Sequence, residues 1–84
     1  MLKLLVLDSK MNRIIEERAA LQMEIDSKKE QLVSSVFTLN GIHEINDIAL
    51  IIRVLEEKYT QLGNELDELI DEYVEIQASE LGLI

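Results

Sequence analysis

The residues with the clearest capacity for chemistry are the acids between residues 64 and 75, where six of the twelve residues are aspartate or glutamate. Helical side chains three positions apart share a face, and this spacing relates Glu65 to Glu68, Glu68 to Asp71, and Glu72 to Glu75. Paired carboxylates can bind a divalent cation, or they can present negative charge to a protein. The spacing predicts an acidic interaction face formed by Glu65, Glu68, Asp71, Glu72 and Glu75.

A metal or catalytic centre would need partners that this chain does not provide. It has no cysteine, and His43 is its only histidine. Thiolate zinc sites and disulfides are therefore excluded, and histidine-based metal sites or catalytic triads have almost nothing to use. The sequence also contains no glycine-rich phosphate loop. We expect no metal, no cofactor and no catalytic residue, with one alternative that follows.

The alternative rests on residues 63–70, Gly-Asn-Glu-Leu-Asp-Glu-Leu-Ile. This segment resembles the Ser-Gln-Glu-Leu-Asp-x-Leu-Ile signature of the small sporulation aspartyl-phosphate phosphatases of bacilli, which are short helical hairpins. The resemblance implies that Asp67 takes part in dephosphorylating a response regulator. Gly63 and Asn64 stand where that family has serine and glutamine. The family's motif also opens its second helix soon after the loop, whereas about twenty residues separate Gly41 from Gly63 here.

The negative charge is confined to the second half of the chain. In residues 1–40 six bases and six acids cancel, whereas residues 41–84 hold eleven acids and two bases, which accounts for the net charge of −9. Direct binding to nucleic acid or to an anionic membrane needs a basic face, so we expect neither. The charge is compatible with a protein partner that has a basic surface, although acidic faces more usually serve solubility alone.

The hydropathy pattern predicts a soluble, cytoplasmic protein. The apolar run of residues 1–7 stops at Asp8 and is too short for a signal peptide with its cleavage site. No apolar run approaches the ~18 residues that a membrane span needs.

Apolar residues recur at alternating steps of three and four through the second half, which indicates a helix with a coiled-coil-like seam. The seam has ten positions: Ile45, Ile48, Ile52, Leu55, Tyr59, Leu62, Leu66, Leu69, Tyr73 and Ile76. They predict a helix over about residues 44–79. Glycine inside a helix costs ~1 kcal/mol relative to alanine, so Gly63-Asn64 predicts a kink, or a stop followed by a short third helix.

The first half follows the same spacing less regularly. Its row contains Leu4, Leu7, Met11, Ile14, Leu21, Ile25 and Leu32. Arg18 and Lys28 interrupt this row, and if buried they should seek carboxylates of the second helix. A helix is expected over about residues 8–36, capped by Asp8 or Ser9, with a start nearer Lys3 as the alternative.

Residues 38–43 are expected to form a turn, because Asn40-Gly41 is the strongest turn signal in the chain. Short strands at residues 2–7 and 33–39 remain an alternative to helix, since both segments are rich in residues that strands favour.

The expected fold is all-α: two helices of similar length, joined by a short loop, in an antiparallel hairpin that forms one domain. A chain of 84 residues buries only about 60% of its unfolded surface, so we expect two hairpins to dimerise through the ten-residue seam into a four-helix bundle. The expected function is a small, acidic, non-enzymatic protein–protein interaction module. Its size suits a regulator or inhibitor of the kind that phages and mobile elements encode, and the alternative is the aspartyl-phosphate phosphatase.

Overall fold

The structure, a computed structural model, describes residues 2–37 and 41–82 and contains two long helices. Helix α1 spans Leu2–Phe37 and helix α2 spans Ile42–Glu80. They run antiparallel. Lys29 of α1 contacts Glu56 of α2, whereas Arg18, which lies earlier in α1, contacts Tyr59, which lies later in α2. The hairpin measures 63 × 16 × 13 Å. The predicted all-α helical hairpin is confirmed.

The ten predicted seam positions of α2 all lie on its inward face. Ile48 and Ile52 are buried, and the other eight, from Ile45 to Ile76, are partly buried. Because α1 is the only other helix described, it must be what covers them. This row therefore makes the contact with α1 inside the hairpin.

Helix α1 presents a matching row to α2. Leu7, Ile14, Leu21 and Ile25 are buried, and Leu4, Met11 and Leu32 are partly buried. The two interrupting residues, Arg18 and Lys28, are partly buried in the same row. Three apolar residues of α1 outside this row, Ile15, Ala19 and Met23, are exposed. The core is thus a single layer of side chains between two helices, and its most enclosed apolar member, Ile25, is 3% exposed.

The N-terminal part of the chain differs from the expected helix start at residue 8. Helix α1 begins at Leu2, so Asp8 and Ser9 lie inside the helix instead of capping it. The physical reason is packing: Leu4 and Leu7 continue the inward row, and Leu4 lines the same groove as Tyr73 of α2. The alternative of a strand at residues 2–7 is therefore wrong. Residues 33–37 are also helical, whereas residues 38–40 lie outside the described part of the chain.

Helix α2 is continuous through Gly63-Asn64, so the alternative of a stop and a third helix is wrong. It begins earlier and ends later than expected, with Gly41 as its N-cap. Gly41 has an extended backbone (φ −60°, ψ 151°), and its carbonyl accepts from the N–H groups of Glu44 and Ile45. Among the described residues, Gly82 has a left-handed backbone conformation, with φ 75°, and it directly follows Leu81, the C-cap of α2.

Candidate interaction surface

The five acids predicted to form an interaction face are all exposed on α2. We call Glu65, Glu68, Asp71, Glu72 and Glu75 the acidic side. Each of them lies either four positions before or two positions after a residue of the inward row, and this spacing places them on one long side of the helix and its back. Because these five side chains are exposed, they can contact another molecule.

The acidic side adjoins basic residues of α1 at one point. Glu72 lines a shallow groove together with Lys3 and Lys10, over a floor that includes Val6 and Leu7. The ammonium groups of these lysines offset part of the negative charge of Glu72. The other four acids, Glu65, Glu68, Asp71 and Glu75, do not line this groove. The negative potential should therefore be strongest on the outer part of α2.

The phosphatase signature is divided between different sides of α2. Leu66 and Leu69 are partly buried against α1, whereas Asp67 is exposed. Asp67 follows the inward residue Leu66 directly, which places it on the opposite long side of the hairpin from Glu65 and Glu68. It also lies closer to the end of α2 at Glu80 than to its start at Ile42.

Among residues 2–37 and 41–82, no group of three or more histidine, aspartate or glutamate side chains is arranged to hold a metal ion. His43 is exposed in the first turn of α2. Neither of the two described helices is long and apolar enough to cross a membrane.

Arg18 contacts an aromatic ring of α2. Its guanidinium carbon lies 4.0 Å from the centroid of the Tyr59 ring, so it meets an aromatic face where a carboxylate was expected. Its Nε is buried and has no hydrogen-bond partner among the described residues. A carboxylate contact is made instead by Lys29, the residue after Lys28, whose Nζ is 3.5 Å from Glu56 Oε2 on the exposed edge.

Gly63 provides the space for the Arg18 guanidinium. A Cβ atom added at Gly63 would lie 2.9 Å from Arg18 Nη2 and 3.2 Å from its guanidinium carbon. The planar group therefore lies between the Tyr59 ring and the bare backbone of Gly63, four residues further along α2. A glycine that suggested a helix break is instead explained by a side chain of the opposite helix.

This arrangement predicts energetic coupling between Gly63 and Arg18. In an Arg18→Ala background, Gly63→Ala should stabilise the hairpin by about 1 kcal/mol, because alanine is the better helix former. In the wild type the new methyl group displaces the guanidinium from Tyr59, which loses about 0.5–2 kcal/mol and cancels the gain. Urea unfolding of the four variants at one protein concentration measures the coupling. Strictly additive effects would contradict the contact.

Comparisons with known proteins yield no relative for this chain. No model of a known protein family matches it, and neither the curated proteins nor the solved structures contain a significant match. The function must therefore be inferred from the hairpin itself.

Proposed function

We propose that this chain is a non-enzymatic protein–protein interaction module that acts in the cytoplasm as a regulator or inhibitor of a partner protein. Its acidic side would dock on a basic surface of that partner. One observation carries this proposal: six exposed carboxylates, five of them on the acidic side, lie on α2 between Glu65 and Glu75, and no basic residue follows Lys58 in the helix.

The physical role of such a surface is electrostatic. Clustered charge of one sign raises the rate of encounter with a surface of the opposite sign and suppresses unsuitable partners. A basic surface on a protein is often one that binds nucleic acid, so an acidic hairpin docked there would compete with nucleic acid. The length of the hairpin, 63 Å, allows it to cover an extended surface of this kind.

The proposal predicts that neutralising the acidic side removes the partner. The variant changes Glu65, Glu68, Glu72 and Glu75 to glutamine, which keeps side-chain size and helix propensity. The matched control changes four exposed glutamates of α1, namely Glu16, Glu17, Glu24 and Glu30, to glutamine. Each variant removes four negative charges and changes the net charge of the chain from −9 to −5. The two variants therefore differ only in the place where the charge is lost.

The measurement is capture of host proteins on the immobilised chain at low ionic strength, where charge interactions are least screened. A protein retained by the wild type and by the α1 control, and bound about tenfold or more weakly by the α2 variant, is the expected result. Equal loss in both variants would show that only net charge matters and would contradict the acidic side. Dephosphorylation of a phosphorylated response regulator by the wild type, lost in Asp67→Ala, would contradict a non-enzymatic function.

A further inference from the structure

We draw no further inference here: the strongest candidate, the patch of exposed apolar side chains that includes Leu5, Ile15, Ile70 and Val74 on the long side of the hairpin opposite Glu65 and Glu68, carries nothing because nothing in the structure shows what covers it.

Discussion

Ile52→Asp is expected to unfold the hairpin, whereas Ile51→Asp, one residue earlier, should leave it nearly unchanged. Ile52 is 7% exposed in the contact with α1, and Ile51 is 42% exposed. A carboxylate at Ile52 would lose the burial of an isoleucine and would have to be desolvated without a partner. The cost should be about 3–5 kcal/mol, which is a large share of the stability of a chain this small.

The measurement is thermal or urea unfolding followed by circular dichroism, at one protein concentration because the apparent stability of an associating chain depends on concentration. The pair of variants holds residue type, helix and added charge constant, so the difference in unfolding free energy reports the direction that each side chain faces. Equal destabilisation by the two substitutions would mean that the inward row is misassigned.

Glu65→Pro is expected to cost about 3 kcal/mol or more, because it falls in the interior of α2. Proline there removes the hydrogen bond of the Glu65 N–H and its ring clashes with the preceding turn. If a separate helix began after Gly63-Asn64, residue 65 would be a first helical position, where proline is tolerated. The variant thus distinguishes one long helix from two short ones.

Two controls accompany this variant. Glu65→Ala keeps the helix and should change stability little, since Glu65 is exposed. Ile42→Pro places proline at the first position of α2, after Gly41 with φ −60° and ψ 151°, which is a conformation that residues before proline adopt readily. Unfolding curves in which Glu65→Pro is no less stable than Ile42→Pro would contradict a continuous α2.

The two-helix fold was predictable because its signal is periodic. Steps of three and four from Ile45 to Ile76 require no knowledge of the partner helix, and these positions are the ones turned inward in the structure. The start of α1 was harder to predict, because Asp8 and Ser9 satisfy local capping rules. Packing of Leu4 and Leu7 on α2 outweighs those rules and extends the helix to Leu2.

The environment of Arg18 shows what local pattern cannot supply. Composition suggested a carboxylate partner, since α2 is rich in acids. The actual neighbours, Tyr59 and Gly63, follow from the register of one helix against the other, which depends on the loop and the whole core. The same register places Lys29, and not Arg18, beside a carboxylate.

The outward position of the acidic side could be predicted from the sequence. Acids that lie off the inward row of an amphipathic helix must face outward, and Glu65, Glu68, Asp71, Glu72 and Glu75 do so. The exposed apolar residues on the long side opposite Glu65 and Glu68, such as Leu5, Ile15, Ile70 and Val74, are not evident as one surface from either helix alone, because both helices contribute to it.

The mass of the wild-type chain in solution tests most directly whether this hairpin is half of a four-helix assembly. Light scattering coupled to gel filtration, at several micromolar concentrations, should give a mass that approaches twice the 9.6 kDa of the chain. A constant mass of 9.6 kDa at every concentration would contradict this account.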